Sequence, residues 1–401
     1  MGLLDARRAR IAAVCASNMI ISVVSSCLYY SELYHLSATP AFATQLNAGI
    51  QLTLCGAALT ALHVSGLAPR QRETPIGLNS WLVLSFLFAL QNTMEIASID
   101  GLGSSSGSLS AVLQQAVIPI TLLSSAVWLH RHYRLAHYLG AALVAGGIAA
   151  AYAPNISTAS VSLSWVFVFL ASRVPQSLAN VRSEQLFGTP SLVDASEAGR
   201  ARSELTFWDG VRTVVRAGFW TACLGMAFNV PSSLIVAAAK GEAAFTTVLH
   251  DYRNGAECLF NGHTANVSAS SERCGSAWAS VVAFALPGAV FAVSEFQVLQ
   301  HTSAATYFLM VALQLPIEAS ALSMRAVMGS YASPSRPSLL YGVPLIVLGI
   351  LCWAAAERRG GGQTTEVVAA PNGSAGEALL PSSLQTSVRE DAEAAPPLFV
   401  H

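Results

Sequence analysis

Apolar stretches of about 18 to 24 residues recur along almost the whole chain, and nothing in the sequence constrains the fold more. Each is long enough, at about 1.5 Å per residue, to cross a hydrocarbon core about 30 Å thick. No water reaches the backbone inside such a core, so the chain must satisfy its own N–H and C=O groups. Runs of this length do so as helices, whereas membrane strands alternate over about ten residues. Charged residues make up 11% of the 401, against roughly 25% in an ordinary soluble domain, too few to coat a water-soluble surface. The fold class is therefore all-α integral membrane.

The predicted spans are about 10–32, 42–65, 79–98, 107–129, 136–153, 161–182, 206–229, 278–299, 302–324 and 338–356. Ten transmembrane helices put both termini on one face. Arg7, Arg8, Arg10, Arg70, Arg72, Arg131, Arg134, Arg182, Arg200, Arg202, Arg358 and Arg359 then share that face, while the loops near 33–41, 99–106 and 154–160 carry no Lys or Arg. The positive-inside rule makes this face cytosolic. Arg325 and Arg336, flanking the last short loop on the far side, run against the pattern. The start, Met1 to Arg10, runs into the first span without a small-residue cleavage site and reads as a retained cytosolic anchor.

The sequence also echoes itself. Leu113-Gln114-Gln115-Ala116-Val117-Ile118-Pro119-Ile120 matches Val311-Ala312-Leu313-Gln314-Leu315-Pro316-Ile317; His137-Tyr138-Leu139-Gly140 matches Leu340-Tyr341-Gly342-Val343; and Phe88-Ala89-Leu90 matches Phe284-Ala285-Leu286. Five spans per half is an odd number, so the halves must point opposite ways, as in the inverted repeats of many secondary transporters. Coincidence between Ala/Leu-rich helices is the competing account. The expected organisation is a short cytosolic N-terminus (1–9), a first five-helix repeat (10–153), a second (154–356) that includes a luminal loop at 230–277, and a disordered cytosolic tail (357–401) rich in Gly, Pro, Ser, Ala and Glu. The first part of the luminal loop, Ser232–Ala239 and then Phe245–Leu249, is amphipathic and expected to lie along the membrane surface.

Cys15, Cys27, Cys55, Cys223 and Cys352 sit in apolar spans, where a thiol acts as a small hydrophobe. Cys258 and Cys274 fall in the luminal loop, where oxidising conditions permit a disulfide; unpaired thiols are the alternative. Asn155-Ile156-Ser157 and Asn266-Val267-Ser268 are glycosylation sequons on the same face, and Asn372-Gly373-Ser374 lies in the tail, where it would go unused.

Three segments resemble the chloroquine resistance transporter-like family of the drug/metabolite transporter superfamily: Leu113 through Gly140; Ser172-Arg173-Val174-Pro175-Gln176-Ser177-Leu178-Ala179-Asn180-Val181-Arg182-Ser183-Glu184-Gln185; and Glu257-Cys258-Leu259-Phe260-Asn261-Gly262 followed by Cys274-Gly275-Ser276-Ala277-Trp278. The resemblance covers roughly residues 10–356. It implies the drug/metabolite transporter fold, with two inverted five-helix halves, a central cavity lined by spans one to four and six to nine, and spans five and ten at the periphery. It also implies export of amino acids, small peptides, basic compounds or thiols, often driven by the proton gradient of an acidic vacuole. Two features depart from the family. This loop has two cysteines where parasite relatives carry four, and the N-terminus lacks the plastid presequence of plant relatives.

Ionisable groups within a bilayer are costly, and so mark candidate functional residues. Arg173 falls in span six, where it either faces an anionic group of a substrate or pairs with a glutamate. Glu318, then Glu95, are the candidates for proton coupling, with Glu295 also considered although a place near a helix end lets it reach water. Asn18, Gln91, Asn92, Gln114, Gln115, Gln176, Asn180 and Gln314 complete the candidate substrate-binding set with Arg173, with interhelical hydrogen bonding as the competing use. Pro119, Pro175, Pro287 and Pro316 are expected to interrupt helices beside these groups. Asp209, Arg212 and Arg216 share a helix face at the cytosolic end of span seven.

The reading is a secondary active, proton-coupled exporter of small organic solutes in an acidic endomembrane such as a vacuole. Its partners are substrate, protons and membrane lipid. No cofactor, metal, nucleic acid or enzymatic activity is called for, and a monomer is compatible with the sequence. A nucleotide-sugar or sugar-phosphate antiporter ranks lower, because such carriers want two or more buried cations and Lys240 is the chain's one lysine. From another class, a receptor or scaffold has little use for two inverted halves.

Overall fold

The computed structural model describes residues 2–36, 38–66, 77–102, 107–128, 133–156, 163–187, 207–262, 274–301, 304–328, 332 and 339–359. They form thirteen helices: α1 (Gly2–Leu36), α2 (Pro40–Val64), α3 (Leu78–Leu102), α4 (Gly107–Gln114), α5 (Val117–Trp128), α6 (Leu135–Ile156), α7 (Leu163–Phe187), α8 (Phe207–Ala239), α9 (Ala244–Asn261), α10 (Ala277–His301), α11 (Ala304–Ser323), α12 (Arg325–Met328) and α13 (Leu339–Arg359). Every predicted span has a helix at its place. Among the described residues five stretches are long and apolar enough to cross a membrane: Ala13–Leu36, Leu78–Ile99, Ser110–Trp128, Val211–Ala239 and Ala277–Leu299. Leu135–Ala151 and Tyr341–Ala356 are shorter apolar helices.

Helix α1 begins at Gly2, ahead of its membrane-length apolar stretch Ala13–Leu36. Two expectations need correction. Residues 230–239 continue α8 straight through Pro231 and do not form a surface segment, so the amphipathic part of the loop is α9 alone. Of the prolines expected to interrupt helices, only Pro119 stands beside a break: Pro175, Pro287 and Pro316 lie inside unbroken helices. A proline removes one backbone donor and crowds the carbonyl four residues earlier. In a membrane bundle, neighbouring helices and local adjustment satisfy what is freed, so the helix can continue. At Pro119 the crowded residue is Gln115, where the chain tightens. There the Gln115, Ala116 and Ile118 N–H groups donate to the carbonyls of Val112, Leu113 and Gln115, each three residues back, and divide the fourth predicted span into α4 and α5.

Helices α6 and α13 share the closest seam. A Cβ on Gly140 would stand 2.7 Å from the Gly349 carbonyl oxygen, and one on Gly147 would stand 2.7 Å from that of Gly342. Pairing 140 with 349 and 147 with 342 means that the two helices run antiparallel, and small residues are what allow backbones to approach this closely in a bilayer. Elsewhere α1 packs along α10, α3 along α7, and α8 along both α2 and α3.

Helix α9 lies beside the ends of α2 and α8. It buries Val248 in a small cluster with Ala41 and Ala237, and leaves Phe245, Leu249 and Phe260 exposed. Gly255 sits where any Cβ would overlap the Phe42 ring. Gly262, at φ 71°, ends α9 in the left-handed conformation that glycine adopts without strain. Cys258 and Cys274 form a disulfide that ties the end of α9 to the start of α10. The other five cysteines are free.

Candidate functional site

A cavity of about 290 Å³ opens among α1, α2, α3, α4, α5, α7, α8, α10 and α11. At its centre α7 and α3 meet through charge. The Arg173 guanidinium reaches Glu95 Oε2 at 2.6 Å, and both side chains are almost wholly enclosed, at 1% and 5% exposure. Helical spacing supplies the rest of the cluster. Phe169, four residues before Arg173, puts its ring 4.4 Å from the guanidinium carbon, and Gln176, three residues after it, accepts from Nη1 at 2.7 Å. Nε donates to Ser172 Oγ at 3.1 Å. On α3, Gln91 lies one turn before Glu95 and donates to the same Oε2 at 2.6 Å, while Gln114 at the end of α4 donates to Oε1 at 3.3 Å. Because α4 stops at Gln114, the helix break helps to place this side chain. A charge pair held away from water survives only when its remaining donors and acceptors are also matched, and these amides do that.

Two further carboxyls face the cavity. Glu295 of α10 accepts from Asn180 Nδ2 of α7 at 3.2 Å and is bonded by the Tyr307 hydroxyl of α11. Glu318 of α11 is bonded by the Ser26 hydroxyl of α1, and its Oε1 meets no hydrogen-bond donor among the described residues. Arg173 is the one basic side chain among the described lining residues, and Glu95 engages it.

Of the predicted substrate-binding set, Gln91, Asn92, Gln114, Arg173 and Gln176 line the cavity, as do Glu95, Glu295 and Glu318. The others stand behind the wall. Asn18 Nδ2 donates to Ser294 Oγ at 2.8 Å and joins α1 to α10. Gln115 turns back to the Ala111 carbonyl at 3.4 Å, beside the α4–α5 break. Asn180 acts through Glu295. Gln314 is buried, and neither of its amide atoms has a partner among the described residues. Asn155 lies in the last turn of α6, whereas Asn266 and the tail beyond 359 lie outside the described residues.

The structure adds lining residues that the sequence reading passed over. Ser22, Ser25, Ser26 and Tyr29 follow the i, i+3, i+4, i+7 rhythm of one helical face, a signal legible in α1 but hidden by attention to amides and charges. Asn47 and Asn229 also line the cavity, and Asn229 Nδ2 donates to the Thr44 carbonyl at 3.1 Å, joining α8 to α2. Glu32, fully buried in α1, lies at the expected end of a span whose helix runs on to Leu36.

A model of the chloroquine-resistance transporter-like family matches residues 11–353. Crt homolog 1 of Dictyostelium discoideum is 26% identical over 271 residues, 62% of this chain and 54% of that protein. The chloroquine resistance transporter of Toxoplasma gondii is 25% identical over 306 residues, 73% of this chain and 32% of that protein. The chain thus spans about half the length of the first relative and about a third of the second. With apolar membrane-crossing helices in the structure and the family model covering nearly all of them, this is a multi-pass helical membrane protein that belongs to the CRT-like family.

Proposed function

We propose that this protein is a secondary active transporter that exports small organic solutes across an endomembrane by alternating access. The observation that carries the reading is the cavity: a chamber between apolar helices with polar and apolar groups in its lining, one ion pair among them and two further carboxyls facing it. Polar groups are expensive inside a bilayer, and a chamber of them is what a solute that must shed its water requires.

In this reading, ten helices form two inverted halves, residues 10–153 and 154–356, with α4 and α5 together making one span. Support comes from the way helix partners exchange. The first helix of one half packs along the third of the other in both directions, α1 on α10 and α7 on α3. The fifth helices meet through glycines 140 and 147 of one and 342 and 349 of the other, and a single shift of 202 residues relates the two pairs.

The charge balance favours basic solutes within the wider class of amino acids, small peptides, amines and thiols. Glu95 neutralises Arg173, so Glu295 and Glu318 set the sign of the chamber. A phosphate-bearing substrate would need spare cations there. Glu318, with an unengaged oxygen, is the first candidate to carry a proton between an acidic lumen and the cytosol, and Glu95 is the second. Both termini are assigned to the cytosol and α9 to the lumen, where the Cys258–Cys274 disulfide would persist.

Uptake of radiolabelled amino acids, dipeptides, thiols and amines into proteoliposomes, at two luminal pH values, tests the reading. Uptake of amines that rises with an imposed proton gradient is expected. Equal movement with and without the protein would remove the transporter, and a Glu318→Gln variant that kept its full pH dependence would remove the proton role.

A further inference from the structure

A second hollow of about 580 Å³ lies on the outer side of α2, lined by Phe42, Gln45, Gly49, Ile50 and Thr53 among others, with Tyr252 of α9 and Ala285 of α10. None of its lining residues is charged. From Phe42 to Leu54 is 12 residues, so the hollow runs roughly 18 Å along the helix, about the depth of one leaflet of a 30 Å core. It is polar at one end only. Gln45 Oε1 and Tyr252 Oη are buried there without a hydrogen-bond partner among the described residues. Farther along, Thr53 turns its hydroxyl back to the Gly49 carbonyl at 2.8 Å and presents its methyl, and the Cα of Gly49 faces open space, with no atom within 4 Å of where a Cβ would stand. Ile50 and Ala285 line both this hollow and the central cavity, so they form the wall between the two.

Buried polar atoms without partners are rare, and they point to something that completes them. A ligand for this groove needs a head that can donate to Gln45 and exchange a hydrogen bond with Tyr252, no net charge, and an apolar tail about one leaflet long. We propose that the groove binds the acyl chain of a bilayer lipid with an uncharged, hydrogen-bonding head, seated against the outer wall of the cavity. The bilayer is the source, because the groove opens sideways on a helix that crosses the membrane in the reading above. The proposal rests on that placement of α2 and not on transport.

The test uses the full chain in lipid nanodiscs and a monoacylglycerol carrying a mid-chain diazirine. After illumination and digestion, label is expected to concentrate on residues 42–54 and around Tyr252, and to be competed by unlabelled monoacylglycerol but not by lysophosphatidic acid. Gly49→Phe, whose Cβ enters open space and whose ring would occupy the groove, should lower that labelling about tenfold, the effect of losing a few buried methylenes. Leu139→Phe on the exposed face of α6 should leave it unchanged. Label spread evenly over exposed helix surfaces, or undiminished in Gly49→Phe, would overturn the site, and equal competition by lysophosphatidic acid would overturn the uncharged head. Should Gly49→Phe fail to fold, the competition profile of the unsubstituted protein still decides. Amine uptake by the same preparation reports separately on transport: labelling without uptake keeps the groove and removes the carrier, and uptake without labelling does the reverse.

Discussion

Along α6 and α13 the closest approaches are glycine to carbonyl, and His137 stacks edge-on against Trp353 toward one end of the contact. Along α3 and α7, helices of similar length, contact runs instead through Arg173, Glu95 and the amides that satisfy them. At its glycines the first seam brings the two backbones together, with Leu143, Val144, Ile346 and Trp353 packed beside them. The second leaves a chamber. Lipid tails are as apolar as leucine, so a membrane protein has little hydrophobic drive between helices and holds them by close packing or by polar contact. This chain uses the first means between α6 and α13 and the second where the cavity lies.

Removing one member of the ion pair should give the largest effect. Glu95→Ala leaves the Arg173 guanidinium enclosed without its counter-charge, a change that costs about 3–5 kcal/mol where a buried pair is broken. Thermal unfolding in detergent should fall accordingly and uptake should be lost. Replacing both, Glu95→Leu with Arg173→Met, should recover most of the stability and none of the uptake. Recovered uptake would show that the pair only supports the fold.

The opposite pattern is expected at the glycine seam. In Gly147→Val the new Cβ stands 2.7 Å from the Gly342 carbonyl oxygen, and backbone, unlike a flexible side chain, cannot swing aside. Overpacking of this kind costs about 1–3 kcal/mol. Melting should drop by that amount while uptake per folded molecule stays unchanged. Loss of uptake at temperatures where the variant is folded would mean that α6 and α13 move in the cycle.

How much of this contrast the sequence revealed depends on the kind of signal. Span positions were legible because length and apolarity are properties of one segment, and hydrocarbon thickness imposes them on each separately. Gln91, Gln114, Arg173 and Gln176 were legible as costly groups in apolar runs, and the cavity takes them all. Which amides would line it and which would lock the wall was not, because Asn18 and Gln115 differ from Gln91 only in the direction they face, and facing is set by neighbours far away in sequence. The Ser22 to Tyr29 stripe carried its own period and was readable. The partner of Arg173 was left open, since α3 and α7 are brought together only by the fold.

A gentler perturbation acts on the cavity without touching the pair. Gly225 of α8 lines the chamber, and no atom lies within 4 Å of where its Cβ would be, so Gly225→Phe should fold with a stability change of less than about 1 kcal/mol. Its ring should narrow the space and reduce uptake of bulky solutes more than that of small ones. Equal rates for every solute size would place the transport path elsewhere.

The smallest expected effect lies outside both seams, where α9 meets α2. Thr39 offers no side-chain cap to α2, and the Asp251 carboxylate accepts from the Ala41 N–H instead, so α9 caps the start of a cavity-lining helix from a distance. Burial pushes this carboxyl up from its usual 3.8 to about 6, against the lowering effect of the Ala41 bond, Lys240 and His250, while Glu242 adds to the rise. A carboxyl raised in the folded state contributes stability that is fully present below about pH 4 and is lost as pH climbs through about 6. Docking of α9 should therefore be firmer at pH 5 than at pH 7.5, seen as slower amide exchange along residues 244–261. Asp251→Asn should flatten that difference. The informative quantity is the gap between the two proteins and not either slope alone. If unsubstituted and variant chains gave parallel profiles, the link between pH and the capped end of α2 would not exist, and Asp251 would serve only as a static cap.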